Sequence, residues 1–247
     1  IMGGRVGSIT TEIIADGLVF NMDAANRASY PIQRTLATAE SGSCFNTIDL
    51  SQSGSFISDP QFITQPTSAS CWNFDGVDDN IDTTTTTLGD KYSVSLWFKN
   101  GVTPSPYLVP LGANTGQGYV ILLGATTGYW YYGNGTTARA SVTDSAYTAA
   151  MSDTSNWHHL VLVRNAPTNG TALYSDGEVY LDGTLIFTQV DKYVGTTVSS
   201  VKNIGDVASS TSYPYNGNIA NIHLYNRALS SNEVLHNYNA LKGRFGL

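Results

Sequence analysis

Residues 217–239 read GNIANIHLYNRALSSNEVLHNYN, and two periodicities meet in them. In the first half, Ala220, Ile222 and Leu224 alternate with Ile219, Asn221, His223 and Tyr225. A period of two predicts a strand with unlike faces. In the second half, Ser230 stands three residues before Glu233. At that spacing each side chain can bond the other residue's backbone N–H at a helix start. Val234, Leu235, Tyr238 and Leu241 then recur at helical spacing, and Gly243 is the expected stop. The stretch therefore predicts a strand that runs directly into a short helix.

Outward from it, the chain repeats the strand pattern. Ser93–Lys99 (SVSLWFK) sets Val94, Leu96 and Phe98 on one face and Trp97 on the other. Trp157–Arg164 (WHHLVLVR) sets Trp157, His159, Val161 and Val163 against Leu160 and Leu162, so both its faces should be buried. Val179–Phe187 (VYLDGTLIF) turns at Asp182–Gly183 and reads as a hairpin. Leu18–Asp23 (LVFNMD) is a further strand, and in Trp72–Ile81 (WNFDGVDDNI) Trp72 and Phe74 alternate before a turn at Asp75–Gly76. Three short strands are expected at 107–112, 119–124 and 129–132, with 83–87, five threonines in a row, as a solvated loop. Short strands, turn signals between them and one convincing helix predict an all-β sandwich. A single domain should occupy residues 17–247, preceded by residues 1–16 as an arm or a short edge strand.

Composition narrows the function classes. The chain has 247 residues, only 13% of them charged, with a net charge of −7 at pH 7. Seven Arg and five Lys are scattered along it, whereas nucleic-acid binding needs clustered cations to neutralise phosphates. No apolar run reaches the ~18 residues that span a bilayer. The opening IMGGRVGSITTEII has one Arg and no useful apolar core, so it does not read as a secretory signal. Cys44 and Cys71 are the only cysteines. They form a disulfide in an oxidising compartment, or sit as two small buried hydrophobes.

The motifs quoted above, in this order, resemble those of laminin-G-like domains of the concanavalin A-like lectin/glucanase superfamily. The resemblance implies a jelly-roll sandwich of two antiparallel sheets with one short C-terminal helix, closed where the last inner strand returns beside the first. FNMDAANRASYP near the start and LYNRALSSNEVLHNYNALKGRFG at the end resemble such domains in tailed-phage proteins. That implies a non-enzymatic virion structural, decoration or adhesion protein. It would be displayed on the particle surface among other virion proteins, as a homo-oligomer with host-surface glycans as ligands. A secreted or cell-surface carbohydrate-binding module is the alternative, and a glycoside hydrolase a second one.

The residues offer three chemistries. Hydrolysis of a glycosidic bond needs two carboxylates facing each other, and the four glutamates, Glu12, Glu40, Glu178 and Glu233, form no such pattern. No enzyme is therefore expected, and no zinc motif occurs. Calcium requires six to eight oxygen ligands. Asp75, Asp78 and Asp79 are the first candidates, Asp23 and Asp206 possible contributors from other strand ends, and a plain turn the alternative. Glycan binding uses aromatic platforms beside polar groups. Candidates are Tyr129, Trp130, Tyr131 and Tyr132, whose alternation exposes about half, and Tyr213 and Tyr215 of the YPY turn. The same aromatics would equally serve a subunit interface.

Overall fold

The computed structural model describes residues 13–31, 43–64, 70–113, 119–131, 139–171, 173–194, 200–207 and 213–247. In chain order they form β1 (Leu18–Asp23), β2 (Ser43–Phe45), β3 (Ser53–Ile57), β4 (Gln61–Ile63), β5 (Cys71–Asp75) and β6 (Asn80–Thr87). Next come β7 (Tyr92–Asn100), β8 (Tyr107–Gly112), β9 (Tyr119–Gly124), β10 (Gly128–Tyr131), β11 (Arg139–Val142) and α1 (Ser145–Ser152). The chain ends with β12 (His158–Asn165), β13 (Tyr174–Leu181), β14 (Thr184–Tyr193), β15 (Ser200–Ile204), β16 (Asn216–Tyr225), α2 (Ser231–Leu241) and a 3-10 turn at Lys242–Phe245.

Two antiparallel sheets stack face to face. The first has the order β14-β13-β12-β7-β16-β5-β4, and the second β11-β10-β9-β8-β15-β6-β3-β2. The closing strand, β16, returns beside the first. Residues 221–225 of β16 lie between β7 and β1, and residues 216–219 between β7 and β5. Val94, Leu96 and Phe98 of β7, Leu160 and Leu162 of β12, and Trp72 and Phe74 of β5 all enter the core between the sheets. The hairpin turn has positive φ at both Asp182 (50°) and Gly183 (79°), the backbone that matches strand twist.

Four local expectations are corrected. A bulge in the β16–β7 ladder between Ile219 and Asn221 puts Ile219 in the core with Ile222 and Leu224 and turns Ala220 to the outer face. An inserted residue reverses parity on one side of it. Leu235 is 45% exposed, while Val234 and Asn237 are buried. The helical register therefore centres one step away, and the 3-10 turn that continues α2 past Gly243 is capped by Gly246 (φ 78°). Threonines 83–87 belong to β6, where branched side chains fit the pleat and Thr83 and Thr86 are buried. A second helix, α1, is capped by Asp144, whose carboxylate accepts from the Ala146 N–H.

The cysteines are free. Cys44 lies in the core between the sheets, its Sγ 3.6 Å from the Met22 Sδ. Cys71 packs on the other side of the first sheet with Trp97 and Phe245, so a whole sheet separates the two thiols. Residues 1–12 of the expected arm lie outside the described residues, and Ile14 packs against the buried cluster that includes Val161, Tyr225 and Val234. No described helix is long and apolar enough to cross a membrane.

Helix α2 and the 3-10 turn cover the outer face of the first sheet. Phe245 stacks on Trp97 with ring centroids 4.2 Å apart, and Tyr238 lies parallel to the same ring at 5.6 Å. Arg244 grips Asp23 with two hydrogen bonds of 2.6 and 2.9 Å. At the helix start, Ser230 and Glu233 exchange the expected bonds, and Arg227 holds the Glu233 carboxylate from behind. The outer face of the second sheet carries no such cap of its own among the described elements.

Candidate functional site

On that second sheet the strand alternation sorts the aromatic run. Trp130 pairs across to Ala140 and points into the core, edge-on to Tyr92. Tyr129 and Tyr131 point outward, in a separate cluster on Val109, Leu122 and Val207. Tyr132 lies outside the described residues. Tyr213 joins the outer cluster because its segment is pinned beside β8. Val109 donates to the Tyr213 carbonyl at 2.9 Å, and Tyr215 donates to the Gly205 carbonyl at 2.7 Å. Tyr215 itself turns inward, fully buried, with its Oη 3.2 Å from the Asn100 Oδ1. Trp130 and Tyr215 are therefore core residues, not surface platforms.

Two tyrosines missed by the sequence reading complete the cluster. Tyr107 and Tyr119 each open a strand otherwise made of apolar residues, so no local pattern marks them. The ring centroids run Tyr129–Tyr107 5.8 Å, Tyr107–Tyr213 5.4 Å, Tyr213–Tyr119 6.3 Å and Tyr119–Tyr131 5.6 Å. Arg139, directly opposite Tyr131 in the β10–β11 ladder, closes the circuit. Its guanidinium lies 4.2 Å over the Tyr129 ring and donates to the Tyr131 Oη at 3.2 Å. Five phenols and one guanidinium thus form a closed ring. A hydrogen bond to Tyr129 raises the Tyr107 phenol, and burial raises that of Tyr119. Both hydroxyls stay protonated at neutral pH and can donate as well as accept.

Val207 links this ring to a depression of about 190 Å³ lined by Ile57, Asn80, Asp82, Lys202 and Asn203. There Lys202 Nζ lies 2.6 Å from the Asp82 carboxylate, and Asn203 donates to the Asn80 side chain at 3.3 Å. The face therefore offers flat apolar rings at one end and amide, ammonium and carboxylate groups at the other. That is the pairing a sugar needs, since it presents both C–H faces and hydroxyls.

The acidic candidates divide. Asp75, Asp78 and Asp79 bring one oxygen each within 4.8 Å of one another at the β5–β6 turn. Asp79 is only 4% exposed and uses both oxygens, accepting from the Asp59 and Asp75 N–H groups at 2.9 Å. Burial raises its carboxyl, and the charges of Asp75 and Asp78 add to the effect. Asp206 stands near this group, raised first by burial and then by the charge of Asp78. Asp23 does not belong to it: its carboxylate is taken by Arg244 on the outer face of the first sheet.

The remaining acid–base groups are committed elsewhere. Glu178 accepts from the Tyr180 Oη at 2.5 Å, and Glu233 is held by Arg227 and the helix start. Ser95 Oγ and His159 Nε2 are 2.8 Å apart, but both residues are fully buried beneath the C-terminal cap, away from the tyrosine ring. His158 lies 2.8 Å from Asp182 and 3.6 Å from Asp153. Burial alone would lower its pKa, but the two carboxylates outweigh it and raise it.

A family model described as the concanavalin A-like lectin/glucanases superfamily matches residues 75–235, well over half of the chain. No curated protein sequence matches it. Among solved structures, domain 4 of AbnA, an extracellular arabinanase of Geobacillus stearothermophilus solved with arabinotriose, superposes with a TM-score of 0.56 at 17% identity. The match covers 88% of this chain and 96% of that domain. Trypanosoma rangeli sialidase gives 0.59 at 15% identity, covering 92% of this chain and 33% of the sialidase. Botulinum neurotoxin type C, whose cell entry depends on two ganglioside molecules, gives 0.57 at 13% identity, with 91% of this chain and 51% of that one covered. The chain thus spans a third of the sialidase and about half of the neurotoxin chain. At these identities the likeness is one of fold.

Proposed function

Because this chain belongs to the concanavalin A-like lectin/glucanases superfamily, we propose that it is a non-enzymatic glycan-binding protein whose binding face is the tyrosine ring on the second sheet. One observation carries the reading: Tyr107, Tyr119, Tyr129, Tyr131 and Tyr213 converge with Arg139 on the side of the sheet away from the core. Aromatic rings there give a sugar's C–H face something to stack on. The neighbouring Asn80, Asn203, Asp82 and Lys202 supply donors and acceptors for hydroxyls. Structural neighbours that hold arabinotriose or depend on gangliosides lend support by fold alone.

The test is a glycan array probed with the wild type and with a Tyr129→Ala/Tyr213→Ala variant. Binding by the wild type that the variant loses, with its melting temperature kept, supports the reading. Equal binding by both moves the site off this face.

Within that role we place the protein on a phage particle, as a structural, decoration or adhesion component that acts as a homo-oligomer. The support is the resemblance of its two ends to tailed-phage proteins. Proteomics of purified virions and light scattering of the isolated protein test the two parts. A carbohydrate-binding module of an extracellular enzyme is the competing reading, favoured by the near-complete coverage of the AbnA domain. Calcium is the proposed metal. Asp75 and Asp78 would hold it beside Asp79, whose two amide bonds keep that carboxylate fixed. A melting temperature that does not respond to a calcium titration after chelation rejects the metal.

A further inference from the structure

Arg139 is the feature of the tyrosine face that sugar stacking does not require. Its guanidinium carbon lies 4.2 Å from the Tyr129 ring centroid and 5.9 Å from that of Tyr131, and the group donates to the Tyr131 Oη at 3.2 Å. No described carboxylate lies within ion-pair distance of it. The other described arginines packed into the fold all have an acid partner: Arg164 has Asp90 at 4.0 Å, Arg227 has Asp16 and Glu233, and Arg244 has Asp23. Arg27 stands exposed in a turn. The sequence segments flanking the ring, 114–118, 132–138 and 208–212, contain neither Asp nor Glu. In a chain of net charge −7, this is a cation held against aromatic rings with no anion beside it among the described residues.

We propose that Arg139 makes the tyrosine face selective for glycans bearing a carboxylate, such as uronate or sialate residues; the inference rests on the glycan-binding reading above. A guanidinium has five N–H donors in a planar fork that fits a carboxylate with two parallel bonds. Tyr131 engages one donor and Tyr129 fixes the plane, so the fork is pre-aligned and little side-chain freedom is lost on binding. The ring is also polarised. Arg139 stands at the Tyr129 and Tyr131 side, while Asp82 and the amides of Asn80 and Asn203 line the depression beyond Val207. An acidic sugar is thereby oriented with its carboxylate toward β11 and its hydroxyls toward Asn80 of β6 and Asn203 of β15.

Matched ligands that differ only in the carboxylate test this: trigalacturonate against its methyl ester, and 3′-sialyllactose against its methyl ester. Titration calorimetry is run in chelator, so that no cation bridge at Asp75, Asp78 and Asp79 contributes. The wild type should bind the charged member of at least one pair about tenfold more tightly, as expected for charge-assisted hydrogen bonds. The pair that responds tells uronate from sialate. Arg139→Gln should erase that preference, bringing the affinities for the two members of the pair together, and Arg139→Lys, a charge without the fork, should fall between. Equal affinity for both members in the wild type, with both lost in Tyr129→Ala, overturns the role of Arg139 and leaves the tyrosine platform standing. A preference that survives Arg139→Gln, or one that appears only with added calcium, also overturns it. Failure of every ligand to bind overturns both the platform and the selectivity.

Discussion

Acidification from pH 6.5 to 4.5 should strip stability from the layer beneath the C-terminal cap before its carboxylates begin to titrate. His159 and His223 are buried there, 0% and 2% exposed. His159 bonds Ser95, stacks on Trp97 and lies below Tyr238. His223 feels Asp23 and Arg244. Burial, with the neighbouring His223, pushes His159 down to about 3, and burial, with Arg244 opposing Asp23, pushes His223 down to about 4. The folded protein therefore keeps both rings neutral, whereas the unfolded chain takes up a proton at each near 6.5. Stability is complete above the unfolded pKa and falls as pH drops from there toward the folded values. Each histidine contributes about 1.4 kcal/mol per pH unit in that window, so two units remove about 5 kcal/mol for the pair.

Other groups leave the window clean or work against the trend. The raised pKa of His158 gives a contribution fully present below 6.5 and lost as pH rises through its folded value. Glu233 and Asp153, both lowered to about 2 by their hydrogen bonds, lose theirs only below the ordinary carboxylate range. Asp79 and Asp206, raised by burial, oppose the trend at its acid end. Urea melts at pH 7.0, 6.5, 5.5 and 4.5 give the stability of the wild type and of a His159→Gln/His223→Gln variant. The wild type should lose stability steeply below 6.5, and the variant should stay nearly flat to 4.5. Parallel profiles would refute the argument, because the slope would then belong to groups other than these two.

Three further outcomes are expected. Gly217, the second residue of β16, has φ 143°, and a Cβ there would press on the Lys99 carbonyl oxygen and stand 2.7 Å from the Gly101 nitrogen. Gly217→Ala should therefore cost more than about 2 kcal/mol in a urea melt. Ser230→Ala should cost about 1 kcal/mol, and Ser230→Gly only a few tenths, because glycine still suits an N-cap; a thermal melt resolves the difference. Burial pushes both thiols, Cys44 and Cys71, up to about 12, so Ellman's reagent at pH 8 should label neither until denaturant is added, and then both.

What the sequence disclosed was what depends on short-range period. Two-faced strands at 93–99, 157–164 and 219–225 and the capping box at 230–233 were legible because neighbours a few residues apart decide them. What stayed hidden depends on residues far apart in the chain. Arg244 finds Asp23 across 221 positions, and Tyr213 meets Tyr107 only because its segment is bonded to β8. The bulge near Ile219 lies in the pairing of β16 with β7, not in the residues of β16 alone. Tyr215 shares the parity of Tyr213 yet faces the opposite way, because the chain turns into the core between them.

The tyrosine ring rests on a constraint that is both structural and functional. In β10 the order Tyr129, Trp130, Tyr131 places one indole inside and two phenols outside. A one-residue slip would exchange them, turning two phenols into the core between the sheets and the indole out of it. Trp130, 1% exposed and edge-on to Tyr92 at 6.2 Å, therefore holds the register that turns the half-buried Tyr129 and the buried Tyr131 into the outer cluster. Trp130→Ala should cost about 3–5 kcal/mol of stability through the cavity it leaves and should weaken glycan binding as well. Tyr129→Ala should weaken binding while leaving the melting temperature close to that of the wild type. A Trp130→Ala protein that melts like the wild type would show that the core does not fix this strand, and the argument for the face would have to rest on the turns instead.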